Sequence, residues 1–538
     1  MKKHFMWMMA AILSVSLSSV FTSCSKDSDE NNSNTQTTTE TENTSYSDVD
    51  VENLEVLESG EIPLYDMLQE NLKAYSGGNS PEDEMMRAHF QKAIDELEEY
   101  AKKESETQGS NDWLSTAKGC LLDYSYVNII TTSADGSKIP MSTLIAWPKL
   151  IVEHKADHVI LGCHCTFTDD VKRPSNFKNV SMSSDVGILV GQWASISGIC
   201  GYECLVIMPD YEGYGSTKDR SHPYLNREVQ ARQCIDAVGQ GIDWYNKKHK
   251  GMANNFKIVS VGYSQGGAVA AATYRYCLEH EDVRKILPMW TGAVCGDGPY
   301  DPYATIVEYC STNRLYMPVA PILMLKGLCD SDSEMKKIGA KPEDFMSAAA
   351  SDCGIISSIA SKEKDTYLCD MCIAGYNDKH PGSFRTGNDE DGSNYFYTCD
   401  VLNQATFDYF SSKGEKLPTD QVMAEKLKTL AHCLKKNSLF YKDDNSTWMP
   451  PTGAKFTFFH SGKDEVVGYC NLQSVIDAWG VTNNSCLYMK YDKKTYKHEA
   501  TGKAFFAERN YSDTFIDLML RNKWESGFKT LEGIIGWW

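Results

Sequence analysis

The feature that most constrains this chain is Gly262-Tyr263-Ser264-Gln265-Gly266-Gly267, set between the apolar run Ile258-Val259-Ser260-Val261 and a helix-forming run over residues 268–276. A strand that enters a helix through glycines makes a tight turn and lifts the serine hydroxyl to the edge of a sheet. Gly-x-Ser-x-Gly alone is a weak pattern, because Gly and Ser are common residues. Its place between a strand and a helix gives it weight. Short apolar runs at 158–161, 203–208, 257–262, 286–291, 455–459 and 486–491, most of them separated by helical-looking segments, have the rhythm of parallel βαβ units. The expectation is an α/β fold with a mostly parallel central sheet. Residues 121–132 and 139–147 read as a hairpin joined at Ala134-Asp135-Gly136.

The rhythm divides the chain. Core segments at 118–300 and 451–538 flank residues 301–450, a mixture of helical stretches and Gly/Asn/Asp-rich loops that reads as a cap inserted between two strands. Ahead of the core, residues 56–117 form an N-terminal helical extension. Met85, Met86, Phe90, Ile94 and Leu97 recur at three- and four-residue steps, and a break near Ser76-Gly77-Gly78 makes two helices from about residue 57 onward. Residues 24–55 are too poor in large apolar side chains to offset the entropy of ordering, and read as a disordered tether. Residues 1–23 combine a basic Lys2-Lys3 start with an apolar stretch too short and serine-rich to span a bilayer comfortably, the pattern of a targeting segment.

That segment ends in Phe21-Thr22-Ser23-Cys24, which resembles the lipobox of bacterial lipoprotein signal peptides. The resemblance implies a lipid on Cys24, which would then hold the protein to a membrane. The following Ser25-Lys26-Asp27-Ser28-Asp29-Glu30 resembles the acidic export signals of surface lipoproteins in some Gram-negative bacteria, which implies a surface-exposed outer-membrane protein. An ordinary cleaved signal is the alternative. A formal charge of −20, with no basic cluster longer than Lys247-Lys248-His249-Lys250, argues against nucleic acid as a partner.

A serine hydroxyl is a poor nucleophile at neutral pH and needs a base, which in turn needs an acid to orient it. In folds that carry the serine on such an elbow, the order is Ser, acid, His. His498 is the histidine that follows the last expected strand, in a loop leading into a helical run at 500–509. Asp464 lies just past the strand near residue 460, in a short loop where a triad acid belongs. The candidate triad is Ser264, Asp464 and His498, with neighbouring Glu465, or Asp297 or Asp301 after the preceding strand, as alternative acids. The backbone N–H of Gln265, next after the nucleophile, is a candidate oxyanion donor.

These residues, with the turn Met208-Pro209-Asp210-Tyr211-Glu212-Gly213-Tyr214-Gly215-Ser216 and the loop Gly162-Cys163-His164-Cys165-Thr166-Phe167, make the chain resemble the α/β-hydrolase superfamily, and within it the secreted lipase and esterase branch. The resemblance implies carboxylic ester hydrolysis through an acyl-serine intermediate, an ester substrate, and no metal or organic cofactor. The His164 loop stands where related enzymes have His-Gly-x, which makes the Thr166 N–H the second oxyanion donor, with Cys165 the alternative and His164 a loop-stabilising residue. Serine aminopeptidases and oligopeptidases share the fold, and a surface binding protein could keep the scaffold. Among the 18 cysteines, Cys369-Asp370-Met371-Cys372 with Cys399 and Cys433 suggests zinc, but one C-x-x-C without a second is weak, and disulfides or buried thiols are preferred. Tyr395, Phe396, Tyr397, Phe407 and Phe410 read as the core of the cap rather than the lining of an acyl site.

Overall fold

Strands buried on both faces need unbroken apolar runs, and the centre of this molecule has them. In the computed structural model, which describes residues 45–152, 155–180, 184–188, 190, 204–249, 251–444, 446–480, 486–491 and 497–507, all six residues of β5 (Cys204–Pro209) and of β10 (Phe456–Ser461) are buried. Cys24, the signal segment and the expected tether up to residue 44 lie outside these residues, as does the end of the helical run at 500–509; residues 45–55 correct the tether's far bound, because Asp243 accepts Tyr46 N–H and Val51 is buried in the core.

The main sheet has nine strands in the order β1-β2-β3-β5-β4-β6-β7-β10-β11. β1 (Val56–Pro63), β2 (Leu121–Thr132) and β3 (Lys138–Lys149) form an antiparallel edge, and β3 pairs antiparallel with β5. From β5 the sheet is parallel through β4 (Ala156–Cys163), β6 (Met252–Tyr263), β7 (Trp290–Gly296), β10 and β11 (Cys486–Tyr491). β8 (Thr386–Asn388) and β9 (Asn394–Phe396) form a separate small hairpin.

Two local expectations are corrected. The residues from 57 begin as strand β1, not as a helix; they cover the outer edge of β2, and Gly60 leaves room for the Tyr124 ring, whose Oη would lie 2.6 Å from a Cβ there. The strand expected at 286–291 starts at Trp290. Residues 281–286 are helical, and the strand itself, rich in small residues, carries a weaker apolar signal than the Ile286-Leu287 pair before it.

The extension follows β1 as α1 (Leu64–Ala74) and α2 (Pro81–Thr107), parted at the expected break. A reciprocal cap between Ser80 and Asp83 starts α2. Met86, Phe90, Ile94 and Leu97 are buried against Tyr124, Tyr126 and Phe505, so these helices cover one sheet face. Met85 is only partly buried. On the other face, α3 (Arg227–Lys248) and α4 (Gln265–Glu279) bury Cys234, Val238, Val269 and Ala270. The segment between β7 and β10 builds a third core around α5 (Pro302–Thr312), α6 (Val319–Ser331) and α8 (Gln421–Lys436), with α7 (Thr366–Lys379) packed on it. The chain then closes with α9 (Cys470–Trp479) and α10 (His498–Ala507). Among the described residues, no helix is long and apolar enough to cross a membrane.

Candidate active site

β6 turns into α4 at Ser264, whose φ of 57° and ψ of −127° are a strained combination for any residue with a side chain. The turn is possible because backbones touch. A Cβ on Gly262 would lie 2.2 Å from the Gly266 carbonyl oxygen, and one on Gly266 would lie 2.0 Å from that of Cys163. Ser264 N–H is anchored to Gly296 O at 2.9 Å, which fixes the nucleophile against β7.

His498 opens α10 and reaches both partners. Its Nε2 is 2.9 Å from Ser264 Oγ and its Nδ1 is 2.6 Å from Asp464 Oδ2. A carboxylate at Nδ1 places the ring proton there and leaves Nε2 to accept the serine hydroxyl proton. Asp464 sits in the loop after β10, where its Oδ1 accepts the N–H groups of Val466 and Val467 at 2.9 and 2.7 Å. Burial lifts the Asp464 carboxyl, while these three N–H donors favour its charged form. Burial also pushes the His498 imidazole below its ordinary value, so it is the neutral base at neutral pH.

The other acids weighed from sequence take other places. Glu465 accepts the backbone N–H of His498 at 3.0 Å, and Asp301 caps α5 by accepting Ala304 N–H. Asp297 is fully buried and receives Ser461 N–H at 2.7 Å. None of the three contacts His498 Nδ1, where Asp464 sits.

The Gln265 N–H, at the first position of α4, makes no hydrogen bond to the described residues, and neither does that of Thr166. Thr166 and Cys165 line the same cavity as Ser264. His164 holds this loop through Cys165 O at 2.7 Å and Asp210 O at 3.1 Å, and stacks on Phe167. His222 did not emerge from the sequence. Its Nδ1 donates to Glu212 O, and burial pushes its pKa down to about 3, so the neutral ring accepts the Gln265 side-chain amide at 2.7 Å. A histidine in a loop just beyond the turn at 208–216 carries no local sign of that contact.

Ser264 and His498 line a cavity of about 620 Å³, and Tyr309, Met317 and Met324 of the segment between β7 and β10 line it too. The aromatics weighed earlier lie elsewhere. Phe410 is fully buried in that segment's core, Phe396 and Phe407 pack against it, and the half-buried Tyr395 meets Tyr316 at a tilt and Tyr397 edge-on. The described cysteines form no disulfide with one another. Cys369 contacts Thr168 and Cys372 contacts Ser358, and the pair gathers no third metal-ligating side chain among the described residues. Cys433 lies beside Asp332 and Glu334, an acidic pair answered by Lys436 at 3.5 and 3.4 Å.

No family model matches the chain, and no curated protein does. Among solved structures it is similar to the rice cell wall degrading esterase LipA from Xanthomonas oryzae, with a TM-score of 0.54 and 17% identity over 76% of this chain and 92% of that one. It is also similar to a Legionella pneumophila protein named as a hydrolase, with a TM-score of 0.55 and 15% identity over 86% of this chain and 97% of that one. Together with the strand order, these likenesses identify the fold as that of the α/β-hydrolases.

Proposed function

We propose that this protein is a serine hydrolase that cleaves carboxylic esters, with Ser264 as nucleophile, His498 as general base and acid, and Asp464 as the group that orients the base. The observation that carries the reading is the continuous contact from Ser264 Oγ through His498 to Asp464, at 2.9 and 2.6 Å, on the wall of a 620 Å³ cavity. His498 Nε2 takes the hydroxyl proton as Ser264 attacks the ester carbonyl. The imidazolium is stabilised by Asp464 and returns the proton to the leaving alcohol. Water, deprotonated by the same nitrogen, then releases the acid. The free N–H groups of Gln265 and Thr166 hold the developing oxyanion. These steps draw on no metal or organic cofactor. Peptidases share this fold, so the choice of an ester over a peptide rests on the resemblance of the sequence motifs to secreted esterases and is decided by the test below.

The same proposal places the enzyme outside the cytoplasm, on the outer-membrane surface, held by a lipid on Cys24. Support comes from the Phe21 to Cys24 motif and the acidic residues after it. Cys24→Ser then moves the protein from the membrane to the soluble fraction.

The direct test is turnover of p-nitrophenyl acetate, butyrate and palmitate beside aminoacyl-p-nitroanilides, with Ser264→Ala as control. Ester turnover lost in the variant sustains the proposal. Cleavage of the anilides alone makes it a peptidase, and no turnover combined with no fluorophosphonate labelling of Ser264 makes it a binding protein.

A further inference from the structure

Asp297, at the carboxyl end of β7, is a second buried carboxyl that the acyl-transfer steps leave unused. One of its oxygens lies within 4.8 Å of both an Asp464 oxygen and a His498 ring nitrogen. Its Oδ1 accepts Ser461 N–H, and its Oδ2 is 2.5 Å from Tyr263 Oη. The same Oη is 2.6 Å from the backbone carbonyl oxygen of His498.

A phenol has one proton and a carbonyl has none to give. If Tyr263 donated to an Asp297 carboxylate, its oxygen would be left against the His498 carbonyl with no proton between them. If Tyr263 donates to His498, the short contact to Asp297 needs a proton from the carboxyl. Only the second arrangement satisfies both contacts.

His460 donates Nε2–H to Val467 O at 2.9 Å, and burial lowers its pKa, which leaves a bare Nδ1 facing Asp297 Oδ1 at 3.5 Å. Positive charge on His460 or His498 favours the Asp297 carboxylate, while burial and the neighbouring Asp464 favour the acid. Burial raises the Asp464 carboxyl as well, but its three N–H donors and its side-chain hydrogen bond with Asp297 favour the charged form there, and Glu465 on the same loop adds another acidic group beside the pair. Among the described residues no Lys or Arg forms an ion pair with Asp297. Two adjacent carboxyls in a dry site do not both ionise readily. Burial raises Asp297 to about 7.

The fold is also shaped around this contact. A Cβ on Gly296 of β7 would lie 2.6 Å from the Tyr263 ring, and one on Gly502 of α10 would lie 2.8 Å from it. Two glycines on different elements therefore clear the slot that Tyr263 fills. Asp297 itself is held at φ 33°, a backbone that residues other than Gly, Asn and Asp adopt poorly.

We propose that Asp297 is a neutral carboxylic acid that donates to Tyr263, whose hydroxyl donates to the His498 carbonyl, and that this chain positions the general base. The inference rests on the ester-hydrolase reading and makes Asp297 and Tyr263 positioning residues.

The test uses the full-length protein with Asp297→Asn, Asp297→Ala and Tyr263→Phe. Asn accepts the φ at this position and its amide can donate to Tyr263, so Asp297→Asn keeps kcat/KM within about threefold on the acid side of the profile. The wild type loses rate as Asp297 ionises at alkaline pH, and Asp297→Asn lacks that limb. Asp297→Ala and Tyr263→Phe lower kcat by about tenfold or more with KM little changed, as expected of a misplaced base. Infrared difference spectra give the readout that does not depend on turnover: a protonated-carboxyl band in the wild type that is missing in Asp297→Asn and fades with rising pH. The proposal is overturned by a fall of about a hundredfold or more in Asp297→Asn, which marks a needed anion, by an alkaline limb that survives in that variant, or by the lack of the infrared band. A wild type that turns over no ester but shows the band defeats the functional reading and leaves the protonation standing.

Discussion

The two sides of the Ser264 cavity are built on different terms. On the sheet side, backbones touch at Gly262 and Gly266, and Asp464 is fixed by two N–H groups besides the histidine it orients. On the other side, α5, α6 and the turn between them present Tyr309, Met324 and Met317 from a segment with its own apolar core. The first side cannot change without moving reacting atoms. The second can exchange side chains while its core stands, and methionine adapts its shape at small expense. Chemistry placed on rigid elements and selectivity placed on an insertion is how one fold serves many substrates.

If that contrast is right, substitutions on the sheet side act on kcat. Ser264→Ala, the largest effect, lowers p-nitrophenyl butyrate turnover by about 10⁵-fold or more, with circular dichroism unchanged. Asp464→Asn leaves the shape but supplies the wrong hydrogen-bonding partner to Nδ1–H, and lowers kcat by about 10⁴-fold. Glu465→Gln, whose partner is only the His498 backbone N–H, costs about tenfold at most. Equal losses at 464 and 465 would show that the orienting acid has been misassigned.

The contrast can be broken from the other side through stability. Phe410 is fully buried among the residues that form the insertion's core. Phe410→Ala removes a ring that collapse cannot replace and destabilises by about 3–5 kcal/mol. Calorimetry would show the loss either in a separate early transition, as a core that melts by itself requires, or in one shared transition, which would make the two sides a single cooperative unit.

Which parts were legible follows from the same contrast. The elbow announced itself because a turn with touching backbones demands glycines at fixed spacing, and Asp464 and His498 because each sits in a short loop after a recognisable strand. The structure brings those three into hydrogen-bonding distance. Asp297 stands after β7, a place that suits a triad acid, and only the Tyr263 ring in the slot made by Gly296 and Gly502 shows what it contacts. Strand β1 was hidden because Val56, Leu57 and Ile62 lie in a polar, half-exposed edge, and β7 because its small residues are quieter than the helix end before it. The cavity wall was hidden more deeply. Tyr309 and Met324 repeat at the spacing of helix core residues, and a periodic stripe looks the same whether it faces a core or a cavity.

The pH profile gives a smaller effect with a definite sign. His498 must be neutral to accept the serine proton, and burial holds its pKa below the ordinary 6.5. The rate therefore falls as pH drops through that lowered value, so the acid limb of kcat/KM lies below pH 6.5. An acid limb above it would mean that the facing carboxyls outweigh burial.

The smallest effect should fall on the chain-length preference. Met324 lines the cavity from α6 and makes no hydrogen bond that the chemistry needs. Met324→Ala lengthens the apolar wall by roughly the space of three heavy atoms, and one methylene in such a pocket is worth only about 1–3 kcal/mol. The ratio of palmitate to butyrate turnover then rises by about tenfold, while acetate, too short to reach the wall, keeps its kcat. An equal fall for all three esters would place Met324 with the reacting atoms and erase the division between the two sides; a changed ratio with constant acetate turnover would locate acyl selection in α6.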